Sequence, residues 1–252
     1  MSSFFGFEFF IFIFAFSAFI ASSCVFLMWN DSCNLIHSAS HASSISIVLS
    51  SIFTCIPFFF TSLFAGLFYF LSLSAGEKMN LSRNDKIAVS GSVLMMAGFF
   101  IGIVLQKDFG SYFVGDIFLI SFADSLSLIC VSVIILLYYI FNYKNLILQS
   151  IYKIETKKRL FCAIILLLEV TFIIIISRYI GVVSSAIPMI AIPYIARKIS
   201  KSPKWMIYNS FIISIFILFF SYLFAIYFNV YFSIVIVVLI VLIMICIFCF
   251  KH

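Results

Sequence analysis

The segment YIGVVSSAIPMIAIPYIARKISKSPKWM, residues 179–206, decides the fold. Its first part is an apolar run that is rich in small residues and carries two prolines. The run stops at the basic pair Arg197–Lys198, and the following Ser202–Pro203 is typical of the N-cap and first position of a helix. The segment therefore predicts a membrane helix, a short amphipathic helix near 194–203 on the membrane face, and a second membrane helix that returns.

The composition of the whole chain agrees with a membrane location. Of its 252 residues, 65% are hydrophobic and 10% are charged, and the mean hydropathy is +1.28. A soluble domain of this length has nowhere to bury so much apolar surface, so we expect membrane lipid to surround the chain as a partner and solvent. The net charge of +6 does not indicate nucleic acid, because the basic residues sit in the loops between apolar runs.

Nine apolar runs come close to the roughly 20 residues that a helix needs to cross about 30 Å of hydrocarbon. They lie near 4–28, 35–55, 57–75, 87–106, 122–141, 160–178, 180–196, 205–228 and 230–250. The run at 180–196 is short, so eight full crossings is an open alternative. Glu8 interrupts the first run and no Lys or Arg precedes it, so we interpret it as a membrane span and not as a cleaved signal.

The basic residues give an orientation for these spans. With nine crossings, every Lys and Arg except Lys107 and Arg178 falls on one side of the membrane. Because basic loops stay in the cytoplasm, this asymmetry predicts a cytoplasmic C-terminus, an outer N-terminus and a location in the inner membrane. The expected architecture is one all-α, polytopic membrane domain over residues 1–252.

Two histidines stand together where the second span begins. His37 and His41 are four residues apart, so they lie on one face of a helix, and the third histidine of the chain is its last residue, His252. Two imidazoles at this spacing can bind one divalent transition metal, and imidazole suits zinc well. The alternative is helix packing, in which the neighbouring Ser and Ala residues allow close approach and each histidine bonds across the interface.

Other polar features are weaker. Asp116 falls in the loop between spans four and five, where it either caps a short helix or faces the mouth of a cation path. Cys246 and Cys249 form a C-x-x-C inside a continuous apolar run with no second pair, so we predict no metal or redox site there. The chain contains no G-x-x-x-x-G-K-[ST] motif, so ATP-driven activity would need an ATPase on another polypeptide.

Three segments, in this order, resemble the membrane permease of zinc and manganese ABC importers, the class that includes the high-affinity zinc-uptake permease. The first is His41-Ala42-Ser43, in the second span. The second and third are Tyr112-x-x-Gly115-Asp116-Ile117, and the stretch from Gly181 through Pro193 and Ala196-Arg197 to Ser202-Pro203. Together the three segments are specific to the family, although each alone is weak.

The resemblance implies a permease like that of type II ABC importers, which moves a divalent ion and catalyses no reaction of its own. It implies no permanently bound cofactor, with Zn²⁺ or Mn²⁺ as the substrate. The implied partners are a cytoplasmic ATPase pair, an extracytoplasmic metal-binding protein and a second permease protomer, as a homodimer or pseudo-dimer. The implied metal path contains His37, His41 and Asp116. The implied ATPase-docking residues are Ala196, Arg197, Lys198, Lys201, Ser202 and Pro203.

The chain departs from the family at informative positions. His37 occupies the place of an Asp in the family's metal path, and a pair of histidines favours zinc over manganese, which prefers oxygen ligands. Two alternatives stay open: a permease for another metal or a metal chelate, and a decayed membrane subunit that does not transport. Enzymatic alternatives fit worse, because di-iron desaturases need several histidine boxes and Val89-Ser90-Gly91 lacks the first glycine of a G-x-S-G protease site.

Overall fold

Nine helices make up the part of the chain that the structure, a computed structural model, describes, and no strand occurs among those residues. The described residues are 7–30, 32–53, 58–77, 82–105, 115, 117, 120–152, 159–182 and 184–249. The helices are α1 (Phe7–Trp29), α2 (Cys33–Ile52), α3 (Phe58–Glu77), α4 (Arg83–Val104), α5 (Phe122–Tyr152), α6 (Arg159–Ile180), α7 (Ala186–Ile199), α8 (Pro203–Phe228) and α9 (Phe232–Cys249). The predicted all-α, multi-pass architecture is confirmed.

The helices differ in how well they suit a membrane. Five of them, α1, α4, α5, α6 and α8, contain stretches long and apolar enough to cross one, and α3 and α9 contain shorter apolar stretches. α2 has 20 residues, but its histidines and serines lower its hydropathy. α7 has 14 residues and is therefore only about 21 Å long, which is short of a full crossing.

Residues 179–206 contain the end of α6, the whole of α7 and the start of α8. α6 ends at Ile180, and α7 then runs without interruption from Ala186 to Ile199. The predicted coupling segment, 194–203, consists of the end of α7, the connection 200–202 and the first residue of α8. The predicted cap is confirmed, since the Ser202 hydroxyl accepts from the Trp205 backbone N–H at 3.5 Å and Pro203 is the first residue of α8.

The chain divides into two compact units. The first unit comprises residues 1–31, 116–156 and 187–252, and so holds α1, α5, α8, α9 and nearly all of α7. The second unit comprises residues 32–115 and 157–186, and so holds α2, α3, α4 and α6. The histidine pair belongs to the second unit and the basic segment after α7 to the first.

α1 is the central helix of the first unit. It is apolar all round and largely buried, as is typical of a helix surrounded by others. It packs on α5 and α8 through aromatic pairs, with Phe26 stacked on Tyr139 at 4.7 Å between ring centroids and Phe9 stacked on Tyr222 at 3.5 Å. One π-helical turn, Ile20–Cys24, interrupts it.

α2 is the central helix of the second unit, and it contacts α3, α4 and α6. Two glycines of α4, Gly91 and Gly98, lie directly against its backbone. A Cβ atom on Gly91 would lie 2.7 Å from the Ser38 carbonyl oxygen, and one on Gly98 would lie 2.8 Å from the Ser44 carbonyl carbon. The two helices therefore touch backbone to backbone, as small residues allow in membrane bundles.

This contact predicts that Gly91→Ala destabilises the protein. Alanine has the higher helix propensity by about 1 kcal/mol, so propensity alone would raise stability. We expect the clash with the α2 backbone to outweigh that gain and to lower the free energy of unfolding by about 1–3 kcal/mol. The measurement is reversible unfolding of the purified protein in detergent.

Gly66→Ala is the matched control for Gly91→Ala. Gly66 is also a buried helical glycine, but the nearest atom to a Cβ there is the side-chain hydroxyl oxygen of Thr171, at 2.9 Å, and not backbone. A side chain can shift where a backbone cannot, so the cost should be smaller. Equal effects at the two positions would contradict the backbone contact.

Candidate metal site

The two predicted metal ligands lie side by side on α2. The Nε2 atoms of His37 and His41 are 3.0 Å apart, the ring centroids are 4.3 Å apart, and the ring planes meet at 73°. Helical spacing accounts for the pairing, because residues four apart are neighbours on one face. His37 is exposed and His41 is half-buried, so the pair is accessible from one side.

The separation of the two nitrogens fits a shared metal ion. Tetrahedral zinc with Zn–N bonds of about 2.05 Å places two ligand nitrogens about 3.3 Å apart, so the rings need to open by only a few tenths of an ångström. At 3.0 Å the two nitrogens share one hydrogen, with one ring donating and the other accepting. A bound ion would take the place of that hydrogen.

The pair supplies only part of a coordination shell. Two nitrogens are half of the four ligands that a structural zinc site uses. Among the residues the structure describes, no group of three or more His, Cys, Asp or Glu side chains could hold a metal. The other ring nitrogen of His41, Nδ1, is buried without a hydrogen-bond partner, whereas a resident metal site usually provides one.

The serines next to the histidines have a different role. Ser38 and Ser40 are buried, and both hydroxyls donate to backbone carbonyls. Ser38 donates to the Ile87 carbonyl on α4 and accepts from the Tyr69 hydroxyl on α3 at 3.0 Å, so it ties three helices together. The packing role that we considered for the whole cluster therefore applies to its serines, while the imidazoles are less buried.

Two glycines quoted in the family resemblance are in backbone contact. Gly115 is buried with φ +71°, and Gly181, just after α6, has φ +98°. Both values lie in the region that L side chains rarely adopt. A Cβ atom on Gly115 would lie 2.8 Å from the Cα atom of Gly181, so only glycine fits at this position.

A chain of hydroxyls joins the segment after α6 to α2. The Ser185 hydroxyl donates to the Ser40 hydroxyl at 3.2 Å and lies 2.9 Å from that of Ser177. The Ser185 backbone N–H also donates to the Gly181 carbonyl at 3.0 Å. Gly115 and the stretch from Gly181 to Ser185, which belong to two of the segments that resemble the family, therefore lie in the second unit with the helix that carries the histidines.

The remaining predicted metal-path residue, Asp116, lies outside the described residues. Asp124, which follows it, is in the first turn of α5. Its carboxylate accepts from the Ser121 hydroxyl at 2.7 Å, and its backbone N–H donates to the same hydroxyl at 3.1 Å. Ser121 is therefore the N-cap of α5, and Asp124 has a structural role at a helix start.

The predicted ATPase-docking residues belong to the first unit, and they differ in exposure. Arg197, Lys198 and Lys201 are exposed. Ala196 is fully buried in a cluster with Val25 and Met206, so it anchors the basic turn and does not itself present a surface. Ser202 and Pro203 begin α8.

Sequence reasoning missed Tyr69, Gly91, Gly98 and Ser185. Gly91 and Gly98 did carry a signal, because two glycines seven residues apart in an apolar run lie on one face of a helix. Tyr69 and Ser185 carried none, since their partners are distant in sequence.

Apolar helices of this kind, with polar contacts between them and two neighbouring histidines on one helix, define a multi-pass membrane protein. The family model of the ABC 3 transport family matches residues 7–251, so the chain belongs to that family. The solved structure of PsaBC from Streptococcus pneumoniae in complex with Fab has a similar fold, with a TM-score of 0.77 and 19% sequence identity. The match covers 94% of this chain and 89% of that one. No curated protein sequence matches the chain.

The hydroxyl chain predicts that Ser185→Ala destabilises the second unit. The substitution removes the link between Ser40 and Ser177 and leaves buried hydroxyls without one of their partners, which costs about 1–3 kcal/mol. Ser184→Ala is the matched control, because the Ser184 hydroxyl bonds only within its own turn, to the Ile180 carbonyl at 3.0 Å. Unfolding in detergent gives the change in the free energy of unfolding for both variants. A loss in Ser184→Ala as large as that in Ser185→Ala would contradict the role of the linked hydroxyls.

Proposed function

We propose that this chain is the permease subunit of an ATP-driven importer that carries Zn²⁺ across the cytoplasmic membrane, with Mn²⁺ as the less favoured ion. The observation that supports the proposal is the 3.0 Å approach of the His37 and His41 Nε2 atoms on a helix inside a bundle of the ABC 3 transport family. The ion is the substrate, and the chain provides a path and no covalent chemistry.

In the proposed path, His37 and His41 form a transient binding site for the ion. An extracytoplasmic metal-binding protein delivers the ion, and the two imidazoles replace part of its ligand shell. The permease works as a dimer, most simply of two identical protomers, and ATP hydrolysis on a separate cytoplasmic subunit drives its change between outward and inward access. The exposed basic residues at 197–201 dock on that ATPase.

The chemistry of the ligands favours zinc. Imidazole nitrogen binds zinc well, whereas manganese prefers carboxylate, carbonyl and water oxygens. With His37 in the position where the family has an Asp, the described pair offers two nitrogens and no oxygen.

A second candidate, a membrane subunit that no longer transports, is favoured by one feature, the buried Nδ1 atom of His41 that has no partner to orient the ring.

The proposal predicts that removing both imidazoles abolishes zinc uptake. We expect His37→Ala with His41→Ala to reach the membrane normally but to show a loss of uptake of at least tenfold, because no nitrogen ligand then remains on this face of α2. The measurement is accumulation of radioactive zinc by cells that depend on this permease.

Two further variants make this test specific. His252→Ala removes the third histidine and should leave uptake unchanged. His37→Asp keeps one ligand but exchanges nitrogen for oxygen, so uptake should persist with manganese favoured relative to zinc. Undiminished zinc uptake in the double alanine variant would refute the site, and absence of uptake by the unmodified chain would favour the non-transporting candidate.

The proposed docking surface predicts a different loss. Arg197→Glu with Lys201→Glu reverses two exposed charges and should abolish metal-stimulated ATP hydrolysis by the assembled transporter, while zinc still binds to the purified permease. Lys144→Glu, an exposed charge on α5 of the same unit, is the matched control and should leave ATP hydrolysis intact. Normal hydrolysis in the double variant would place the docking surface elsewhere.

A further inference from the structure

A groove of about 290 Å³ lies on the first unit between α1, α5 and α8. Phe26 of α1 and Leu136 and Ile140 of α5 give it an almost wholly apolar wall. Ile140 is 59% exposed and Tyr208, on the α8 side, is 66% exposed, so the groove is open along its length. All three helices contain stretches able to cross a membrane, which places the open side against lipid acyl chains.

Ser22 and Tyr139 line the middle of the groove, and its one charged residue and its other two tyrosines lie toward one end. Lys204 lies in the first turn of α8, and Tyr208 follows one turn later. Tyr143 is the lining residue farthest along α5, and it is followed directly by the exposed Lys144. Tyrosines and a lysine at the end of an apolar groove match the boundary between hydrocarbon and headgroups.

Among the described residues, the charges near that end are basic. Besides Lys144, the exposed basic residues of the first unit that precede Lys204 are Arg197, Lys198 and Lys201. The acidic residues that the structure describes in this unit are Glu8 and Asp124, in the first turns of α1 and α5. Those turns lie at the opposite ends of α1 and α5 from the Phe26 and Tyr143 positions, so the polar end of the groove complements a negative headgroup.

We propose that the groove binds one anionic phospholipid, with an acyl chain along the apolar wall and the headgroup phosphate at Lys204. The hydroxyls of Tyr143 and Tyr208 are placed to donate to the headgroup oxygens. A neutral lipid would fill the same wall, so discrimination depends on the charge of Lys204, since hydrocarbon contacts are the same for both lipids. Basic pockets between membrane helices recognise anionic headgroups in this way.

The tryptophans of the chain allow a direct test. The sequence contains two, Trp29 and Trp205, so Trp29→Phe leaves Trp205 as the only one. Trp205 follows Lys204, and its ring lies 6.3 Å from that of Tyr208, centroid to centroid. The full chain is titrated in mixed micelles with brominated phosphatidylglycerol, and separately with brominated phosphatidylcholine that carries the same acyl chains, and quenching of Trp205 is recorded.

We expect phosphatidylglycerol to quench Trp205 at a lower mole fraction than phosphatidylcholine. Lys204→Gln should weaken that preference about five-fold, the effect of one basic residue at the membrane surface. Lys201→Gln removes an equal charge that does not line the groove and should retain the preference. Ile140→Phe places a larger side chain in the groove without a change in charge, so it should reduce quenching by both lipids.

Three results would overturn the proposal. These are equal quenching by the two lipids, an equal loss in Lys201→Gln, and disulfide cross-linking of Ile140→Cys between two copies, which would assign the groove to a second protomer. Native mass spectrometry of the unmodified chain with the same two lipids gives the comparison without any substitution. Preferential retention of phosphatidylglycerol supports the site, and equal retention contradicts it.

Discussion

Direct contact between backbones, at glycines that carry no side chain, is the constraint on which the second unit depends. Gly91 and Gly98 bring α4 against α2, and Gly115 lies against Gly181. Helices this close exclude lipid and leave no room for bulky side chains between them. The hydroxyl of Ser38 therefore reaches the Ile87 carbonyl of the neighbouring helix, where water is not available to bond it.

This close packing explains how a helix with so many polar residues lies within an apolar bundle. The buried serines of α2 bond to carbonyls of their own helix or of neighbours, or, at Ser46, to hydroxyls of α3, so their burial carries little penalty. Ser40 and Ser44 follow His37 by three and seven residues, so they lie on the same side of α2, buried against neighbours while the imidazoles are less buried. A change at the glycines would reach the histidine pair through α2.

The sequence predicted features that depend on neighbours along the chain. The helical class, the Ser202–Pro203 cap and the placement of His37 and His41 on one face follow from composition and helical spacing alone. It did not predict that Gly115 meets Gly181 or that Ser185 bonds Ser40, because those partners are far apart in sequence. It also did not predict that α7 continues through Pro193 to Ile199, because a proline inside a helix removes a backbone hydrogen bond. Pro188 is different, since it stands in the first turn, where a backbone N–H has no helical acceptor to lose.

Under the proposed function, the small number of ligands found beside His37 and His41 among the described residues suits transport. A complete tetrahedral zinc site binds with up to ~16 kcal/mol, and with association near the diffusion limit its ion would stay for a time on the order of minutes. A permease must release each ion far sooner than that. In the proposed path, two nitrogens that approach within 3.0 Å, on a helix that tight packing holds in place, attract the divalent cation. Fewer ligands leave the ion free to move on, as conduction through any selective path requires.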